Sequence, residues 1–416
     1  MEAEVKNICK KVKEAANNFA GVNELTKNAV LLTVKELLLT NVDKIIDANK
    51  VDIVLALKQG RNQAFIDRLT LTPERIKLMA DGLDAIVALG DPVGEVTEEY
   101  VLPNGLKVYK IRAPLGVVGI IFEARPNVAV DAAALCIKSG NGVVLRGSSD
   151  SSESVNALVG YIKEGLSKHG LSPNLVGNIE PKDRSTSVEM LKQEHSIDVV
   201  IPRGGESLKK VVLENATMPV IASSGGNCHI YVASSADIDV ANEIILNAKT
   251  SRPAVCNALE TLLIDIKIAE KALPMLCANL AKRGVEIRLT KEAAKYYKGD
   301  KIVDMNEMYI EYDDLIVKVN VVQDINDAIA HINEYGTHHS EAIISTNELE
   351  IEKFMKEVDS CALYANASTR FTDGFELGLG AEMGISTQKL HVRGPIGLKE
   401  LTSVKYCVYG EGHIRK

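Results

Sequence analysis

The sequence predicts an α/β fold, because short continuous apolar runs alternate with helical patterns along most of the chain. Two such series follow one another, at residues 115–226 and 229–365, after a helical region at residues 1–90. Strands that are apolar on both faces are typical of parallel sheets covered by helices, and such sheets bind ligands at the carboxyl ends of their strands. A chain of 416 residues is long enough for two or three domains.

The first 90 residues carry apolar side chains at three- and four-residue spacing, which is the helical period. The predicted helices with this spacing are 25–38, 42–59 and 73–89. Residues 100–109 then read as two short strands around Pro103-Asn104-Gly105, which is a hairpin signal. A lone hairpin is marginally stable, so we expect it to lie against something else, such as a partner subunit.

Each later series alternates strands and helices. The first series predicts strands 117–122, 143–145, 197–201 and 220–221 and helices 128–138, 152–168 and 206–214. The second predicts strands 259–264, 285–289, 315–322, 341–345 and 361–365 and helices 236–249, 267–283, 325–334 and 347–357. The tail contains an apolar run at 405–409 that predicts an edge strand.

Composition excludes several classes of protein. Apolar residues make up 46% and charged residues 25% of the chain, which is ordinary for a globular enzyme and excludes extensive disorder. The net charge of −8 comes without a basic stripe, so we expect no nucleic-acid partner. The longest uncharged apolar stretch, 113–122, has 10 residues. A membrane span needs about 20, so we expect no membrane segment.

The first residues contain no basic segment followed by an apolar run, so no signal peptide is expected. Seven cysteines are scattered along the chain, and no two have the C-x-x-C spacing of zinc ribbons or thioredoxin motifs. Free thiols fit a reducing compartment, so the expected location is cytoplasmic.

Two loops suit an anion, although the usual glycine-rich dinucleotide and ATPase fingerprints are absent. Residues 146–152 follow a strand and open a helix, where free N–H groups, Arg146 and serines offer donors. The alternative is a helix cap, because Asp150 and Glu153 have a spacing like that of a capping box. The second loop, 203–205, is either a phosphate-binding loop or a flexible turn.

One cysteine differs from the rest in its setting. Cys256 follows the turn-forming stretch 250–255 and precedes an apolar strand, so it can reach a cleft where Arg252 favours the thiolate. It is either a nucleophile or inert. Cys228 is the competitor, but in a strand it and His229 face opposite ways and make no ready Cys–His pair. The other five cysteines are interpreted as apolar fillers.

A polar loop, 123–127, follows the first strand of the α/β region. Arg125 and Asn127 at the carboxyl end of a strand suit substrate contacts, and the alternative is that Asn127 caps the next helix. His338-His339 has no third ligand at metal spacing, so we predict a surface loop there and no metal site.

Six short motifs occur in one order along nearly the whole chain: 119–128, 200–205, 247–257, 336–340, 366–374 and 378–395. Together they resemble the motifs of the gamma-glutamyl phosphate reductases, also called glutamate-5-semialdehyde dehydrogenases, within the aldehyde dehydrogenase superfamily. The resemblance implies two Rossmann-like α/β domains and a small β flap for oligomerisation. The implied boundaries are 1–98 and 113–226 for the NADP-binding domain, 227–390 for the catalytic domain with the nucleophilic cysteine, and 99–112 and 391–416 for the flap.

The implied reaction is the NADPH-dependent reduction of L-glutamyl 5-phosphate to L-glutamate 5-semialdehyde with release of phosphate. This is the second step of proline biosynthesis from glutamate. In it the Cys256 thiolate attacks the acyl phosphate and forms a thioester, which divides one displacement into two easier steps. Asn127 and the backbone N–H of Cys256 are the candidate donors to the carbonyl oxygen. Arg125 is assigned to the phosphate or to the substrate carboxylate.

The resemblance also implies binding residues. The cofactor-binding set for NADP(H) is Arg146, Ser148, Arg203, Gly204, Gly205 and Glu311. Arg146 and Ser148 are expected near the adenosine ribose and its 2′-phosphate, and Glu311 near the nicotinamide ribose. The substrate-binding set is Arg125, Ser368, Thr369 and Arg370, with Arg370 pairing with the α-carboxylate.

One position departs from the hydrolytic aldehyde dehydrogenases, which have a water-activating glutamate two residues before a glycine pair. Here that position is Ser223, which favours a reductive reaction. The alternatives are an acylating aldehyde dehydrogenase that uses a coenzyme A thioester, and a nucleotide-binding regulatory protein with a vestigial site. The expected partners are further copies of the chain, as a dimer or tetramer, and glutamate 5-kinase in a transient handover of the labile acyl phosphate.

Overall fold

The computed structural model describes residues 2–181, 183, 185–223 and 225–415. The helices, in chain order, are α1 Glu2–Phe19, α2 Glu24–Thr40, α3 Val42–Lys58, α4 Gln63–Leu69, α5 Pro73–Ala88, α6 Asn127–Lys138, α7 Ser152–Lys168, α8 Ser185–Met190, α9 Glu206–Asn215, α10 Ile238–Thr250, α11 Ile266–Lys282, α12 Ile325–Tyr335 and α13 Glu348–Glu357. Short 3-10 turns occur between several of them.

The strands, in chain order, are β1 Val96–Val101, β2 Lys107–Pro114, β3 Val117–Phe122, β4 Gly142–Arg146, β5 Val176–Asn178, β6 Val199–Arg203, β7 Cys228–Val232, β8 Leu259–Asp265, β9 Glu286–Thr290, β10 Lys301–Val303, β11 Ile316–Val322, β12 Ser340–Ile344, β13 Ala362–Ala365, β14 Ile385–Ser386, β15 Gly394–Pro395 and β16 Thr402–Tyr409. The predicted α/β fold class is therefore confirmed, with parallel sheets in both series.

The chain forms two compact units, which we call unit 1 and unit 2. Unit 1 comprises residues 1–222, 378–384 and 396–416, and unit 2 comprises 223–377 and 385–395. The chain therefore returns to unit 1 after most of unit 2 is complete. The predicted assignment of an NADP-binding role to one domain and a catalytic role to the other stays a prediction.

Unit 1 is built on a four-stranded parallel sheet in the order β5-β4-β3-β6. Every residue of β3 is buried, as expected for a strand covered on both faces. Helix α1 approaches the sheet closely at Gly142 and Gly177, where an added Cβ would lie 2.9 Å and 2.7 Å from side-chain atoms of Val12. Glycine at these two positions lets the helix lie directly on the sheet.

Two predicted strands in unit 1 differ in extent. The run predicted as a strand at 220–221 makes only a single bridge, Val220 to Val200. Pro219 precedes it and has no N–H to extend a ladder. The predicted hairpin at 100–109 is present, and β2 also pairs with β16 from the tail, giving an antiparallel sheet in the order β1-β2-β16.

Unit 2 is built on a seven-stranded sheet in the order β10-β9-β11-β8-β7-β12-β13, in which every pairing is parallel. Its central strands β7, β8 and β12 are buried along their whole length. The buried charge of Glu260 on β8 is balanced by Lys249, whose Nζ lies 2.9 Å from its Oε1. Pairing of this kind is what makes charged side chains tolerable inside a strand.

Candidate active site

Cys256 lies on the loop that joins α10 to β8 in unit 2, and its side chain is half-buried. The next residue, Asn257, is buried and fixes this loop to the 3-10 turn at residues 369–371. Its carbonyl accepts a hydrogen bond of 2.7 Å from Thr369 Oγ1, and its Nδ2 donates to the carbonyl of Thr372 at 2.8 Å. The Cys256 thiol is therefore partly exposed, while the backbone of its loop is held in place by hydrogen bonds.

A glycine pair lies against this loop. A Cβ on Gly226 would overlap the carbonyl group of Cys256, so only glycine allows the two backbones to approach this closely. The N–H of Gly226 donates to Glu311 Oε1 at 2.6 Å, and Gly225 also leaves no room for a Cβ beside that carboxylate. The structure thus brings together Cys256, the glycine pair and Glu311.

Buried polar groups hold the segment that carries Glu311. Lys318 is fully buried, and its Nζ donates to Asn227 Oδ1 at 2.8 Å and to the carbonyl of Met308 at 3.2 Å. Asn227 Nδ2 donates to the same Met308 carbonyl at 2.7 Å. Burial lowers the pKa of Lys318 to about 8. This network links the residues before Glu311 to the residue after the glycine pair.

The other thiols near the loop have different surroundings. Cys228 is completely buried, and burial raises the pKa of its thiol far above the usual value. Its Sγ donates to the carbonyl of Cys256 at 3.1 Å, which gives it a structural role. Burial raises the pKa of Cys361 to about 12, and its Sγ donates to the carbonyl of His339 at 2.9 Å. Neither group favours the thiolate form that a nucleophile needs.

Two guanidinium groups accompany the nucleophile loop. Arg252 is exposed, four residues before Cys256. Arg370 donates through Nη1 to Asn257 Oδ1 and through Nε to Ser251 Oγ at 3.2 Å. Burial, and then the charge of Arg252, lower the pKa of the Arg370 guanidinium. The two cations are close enough to influence each other beside Cys256, and such pairs favour a bound anion.

The predicted substrate-binding residues Ser368 and Thr369 brace this loop in the structure. Ser368 Oγ caps the 3-10 turn by accepting a hydrogen bond from the N–H of Arg370 at 3.3 Å. The side chains of Ser368 and Thr369 are both buried. Their predicted contact with substrate stays a prediction. What the structure adds is that they hold the backbone on which Asn257 and Cys256 lie.

Asn127 is the first residue of α6 in unit 1, and its side chain does not cap the helix. Its Nδ2 instead donates to Asp131 Oδ2 at 2.9 Å. Removal from solvent raises the pKa of Asp131 to about 6, while the bond from Asn127 and the charge of Arg203 oppose this shift. Asp131 was missed from the sequence, although its i,i+4 spacing from Asn127 is a readable signal.

A pocket in unit 1 opens beside these two residues. Arg125, Asn127 and Asp131 line it together with Arg203, Glu382 and apolar side chains. Glu382 belongs to the 378–395 motif, and no local pattern in the sequence marks it as a site residue. The pocket groups predicted substrate-binding, oxyanion and cofactor residues of unit 1 on one surface.

The glycine-rich loop 203–205 precedes α9. Gly205 is the N-cap residue of α9, and no side chain caps the helix there. The N–H of Gly205 donates to Glu123 Oε2 at 3.0 Å. A Cβ on Gly204 would lie 2.5 Å from that same oxygen, so a larger residue here would have to displace the Glu123 carboxylate. The loop leaves the remaining N–H groups of the first helical turn as a polar surface.

Arg146 and Ser148 form the other predicted nucleotide loop. Arg146 Nη2 donates to the carbonyl of Asp183 at 2.8 Å, and burial lowers the pKa of its guanidinium. Its Nε and Ser148 Oγ are buried and have no hydrogen-bond partner among the residues that the structure describes. Buried polar atoms without partners are rare in proteins and are expected where a ligand binds.

The helix N-terminus next to this loop is already occupied. The Asp52 carboxylate of α3 accepts from the N–H groups of Glu153 and Ser154 at 3.1 Å and 2.8 Å. Asp150 pairs with Arg61 at 2.9 Å and does not form the capping box considered above. The first turn of α7 therefore offers its free N–H groups to Asp52, and an anion in this loop must be held by side chains.

The prediction of a surface loop at 338–339 is wrong for the second of the two histidines. His339 is buried, and burial lowers its pKa to about 4. Among the residues that the structure describes, no group of three His, Cys, Asp or Glu side chains has the arrangement of a metal site. Within the same part of the chain, none of the helices combines the length and the apolar character needed to cross a bilayer.

Comparison with known proteins extends these observations to the whole chain. The model of the "Aldehyde dehydrogenase family" matches residues 1–294. A gamma-glutamyl phosphate reductase from Carboxydothermus hydrogenoformans is 49% identical over 412 residues, which cover 99% of both chains. One from Clostridium perfringens is 49% identical over 408 residues, 98% of both chains.

Solved structures agree. The crystal structure of gamma-glutamyl phosphate reductase from Thermotoga maritima has a TM-score of 0.97 and 42% identity, covering 99% of this chain and 100% of that one. An acetylating aldehyde dehydrogenase from Geobacillus thermoglucosidasius has a TM-score of 0.70 at 16% identity, covering 100% and 98%, and shares the fold. The chain therefore belongs to the aldehyde dehydrogenase family and, within it, to the gamma-glutamyl phosphate reductases.

Proposed function

We propose that the chain reduces L-glutamyl 5-phosphate to L-glutamate 5-semialdehyde with NADPH, releases phosphate, and works through a thioester on Cys256. In the cell this is the second step of proline biosynthesis from glutamate, carried out in the cytoplasm. The observation that carries the proposal is the setting of Cys256. It is a half-buried thiol on a loop fixed by Gly226 and Asn257, in a chain 49% identical to named reductases.

The residues of unit 1 fit a nicotinamide dinucleotide with a 2′-phosphate. Within the described part of the chain, Arg146 Nε and Ser148 Oγ are buried polar atoms without partners, and a ribose phosphate offers the oxygens that they lack. Because Asp52 already caps α7, these side chains rather than the helix end hold the phosphate. The N-terminus of α9 at 203–205 is suited to the remaining phosphates. When bound, the reduced nicotinamide supplies a hydride.

The proposed mechanism begins with the Cys256 thiolate. Its sulfur forms a bond to the acyl carbon, the bond from that carbon to the phosphate oxygen breaks, and the phosphate leaves with the electron pair. Arg252 and Arg370 stand beside the loop and are suited to hold the departing phosphoryl group. The predicted pairing of Arg370 with the α-carboxylate stays a prediction. The hydrogen bond from Arg370 to Asn257, the residue after Cys256, favours the phosphoryl group as its partner.

The carbonyl oxygen becomes negative in both halves of the reaction. The Asn127 amide and the backbone N–H of Cys256 are the proposed donors, and removing one such donor costs about 3 kcal/mol in comparable enzymes. After reduction of the thioester, the carbon–sulfur bond breaks, the aldehyde forms and Cys256 returns to the thiolate. Water must stay out of this sequence, and Ser223 provides no carboxylate to activate it.

The test is the reverse reaction, because its substrate is stable enough to handle. Formation of NADPH is followed from pyrroline carboxylate, which equilibrates with the semialdehyde, with and without inorganic phosphate. Strict dependence on phosphate is expected. Equal rates without phosphate contradict the proposal and indicate hydrolytic oxidation, whereas dependence on coenzyme A instead of phosphate supports an acylating dehydrogenase. Binding of NADP without any turnover supports the regulatory alternative.

The β1-β2-β16 sheet supports a proposal about association with other chains. Its strands β1 and β16 expose apolar side chains, among them Val101, Tyr406 and Tyr409 at 63%, 59% and 62%. We propose that this sheet packs against a second copy in a dimer or tetramer, which sedimentation of the whole chain tests. A transient contact with glutamate 5-kinase is proposed because the acyl phosphate is labile. Unchanged coupled flux with both enzymes dilute, and no association in a pull-down, contradicts it.

A further inference from the structure

The pocket of unit 1 carries a balanced set of charges. Arg125 and Arg203 supply two cations, and Asp131 and Glu382 supply two carboxylates around this pocket. Asn127 lies in the same lining. A pocket lined by both signs suits a ligand that itself carries both signs, because each charge on the ligand then meets an opposite partner.

The fold fixes two members of this set. Arg203 lies across Gly384, which has a φ of +130° and no room for a Cβ beside the guanidinium. Asp131 Oδ2 accepts from Asn127, while its Oδ1 receives no hydrogen bond from the described residues. One carboxylate oxygen is therefore used to hold Asn127, and the second is available to a ligand that donates.

We propose that this pocket binds the α-amino-acid head group of the substrate, with Asp131 and Glu382 receiving the ammonium group and Arg203 and Arg125 the carboxylate. Arg203 thereby moves from the predicted cofactor-binding set to the substrate. The assignment rests on the proposed function and adds to it the part of the enzyme that recognises an amino acid. It also assigns the two anionic groups of the substrate, the α-carboxylate and the phosphoryl group, to different binding residues. Two carboxylates repel a phosphoryl group, so this pocket is suited to the head group and not to the phosphoryl group.

Helix α6 presents two polar side chains next to each other in this pocket. Asn127 and Asp131 are four residues apart, so they lie on one face of the helix, with Asn127 Nδ2 2.9 Å from Asp131 Oδ2. An extended glutamyl chain spans roughly 5 Å from its acyl carbon to its ammonium nitrogen. A substrate whose carbonyl oxygen meets the Asn127 amide therefore places its ammonium group near Asp131. The Asp131 pKa of about 6 leaves this carboxyl ionised at neutral pH.

The experiment compares three aldehydes in the phosphate-dependent reverse reaction: L-glutamate 5-semialdehyde, 5-oxopentanoate, which lacks the ammonium group, and 4-aminobutanal, which lacks the carboxylate. Asp131→Asn and Glu382→Gln are expected to lower kcat/KM for the semialdehyde about ten- to hundredfold and for 5-oxopentanoate less than threefold. Arg203→Gln is instead expected to lower kcat/KM for the semialdehyde and to leave kcat/KM for 4-aminobutanal nearly unchanged. Glu376→Gln, an exposed site six residues before Glu382, is the matched control.

Equal losses on all three aldehydes overturn the proposal, because they indicate only a positioning or cofactor role. A Glu382→Gln enzyme as selective as the wild type also overturns it. If the wild type shows no phosphate-dependent turnover, the proposed function fails separately. In that case the head-group site is tested by calorimetric titration, which measures the affinity of the wild type and the variants for L-glutamate, glutarate and 4-aminobutyrate. Equal affinity of the wild type for the three compounds contradicts the site.

Discussion

The side-chain amide of Asn127 donates a hydrogen bond of 2.9 Å to Asp131, one turn further along helix α6. This bond fixes the orientation of an amide that would otherwise rotate. One amide hydrogen is used by Asp131, so the second is directed elsewhere, which is what an oxyanion donor requires.

Asn127→Ala is expected to lower kcat about 10²- to 10³-fold, because the negative oxygen loses one donor. Affinity for NADP is expected to stay unchanged. Steady-state kinetics and a fluorescence titration with NADPH measure the two quantities. Asn174→Ala, at an exposed position, is the control. A rise in KM with an unchanged kcat contradicts the assignment of Asn127 as a donor to the negative oxygen.

Cys256→Ala is expected to retain NADP binding and to lose turnover by a factor on the order of 10³ or more, since no thioester forms. Cys277→Ala, a buried thiol in the core of unit 2, serves as the control and is expected to stay active. Residual activity of Cys256→Ala within a few-fold of the wild type excludes Cys256 as the nucleophile.

Gly226→Ala is expected to lower kcat at least about 100-fold, because the new methyl group displaces the carbonyl of Cys256 and a 1 Å misplacement is that costly. The rate of alkylation of Cys256 measures the displacement directly. Gly160→Ala, where a Cβ meets open space, provides the matched comparison. Wild-type rates in both variants would show that the close approach is unimportant.

Arg146→Ala is expected to raise KM for NADPH ten- to hundredfold and KM for NADH less than threefold, because only NADPH carries the 2′-phosphate. Initial rates with each cofactor measure the ratio. Arg283→Ala, at an exposed site in unit 2, controls for the loss of charge. An equal rise for both cofactors contradicts the assignment of Arg146 to the 2′-phosphate.

The raised pKa of Asp131, about 6, has a consequence for stability. The folded state holds this proton more tightly than the unfolded state, so the contribution of Asp131 to stability falls as the pH rises from the ordinary carboxyl pKa to about 6. Asp131→Asn removes the ionisation. Its Tm is expected to exceed that of the wild type more at about pH 7.5 than at about pH 4.5. A difference in Tm that does not depend on pH contradicts the raised pKa of Asp131.

Local sequence patterns were sufficient for most of the fold. The apolar runs of β3 and β8 are continuous because both faces are buried, and this is readable without tertiary information. Cys256 was separable from the other thiols by its position between a helix and a strand. The hairpin was readable because Gly105, with a φ of +90°, occupies the position in the turn that favours glycine.

Contacts between residues far apart in the sequence could not be predicted from local patterns. Asp52 caps α7 across 102 residues, and no local pattern in α3 marks it as a cap. Lys318 and Asn227 meet across 91 residues, in a network that depends on the register of β7, β8 and β11. Glu382 becomes part of the unit 1 pocket only because the chain returns to that unit after residue 377. Each of these depends on tertiary packing that propensity does not encode.

The pairing of β2 with β16 has a consequence for biosynthesis. Arg112 on β2 and Thr402 on β16 are separated by 290 residues. A ribosome adding 5 to 20 residues per second needs about 15 to 60 s to travel that distance. During this time the β1-β2 hairpin lacks its third strand, and a two-stranded ribbon is marginally stable. The nascent chain therefore carries an unpaired strand edge throughout the synthesis of unit 2, which makes this edge a natural point for chaperone contact or premature association on polysomes.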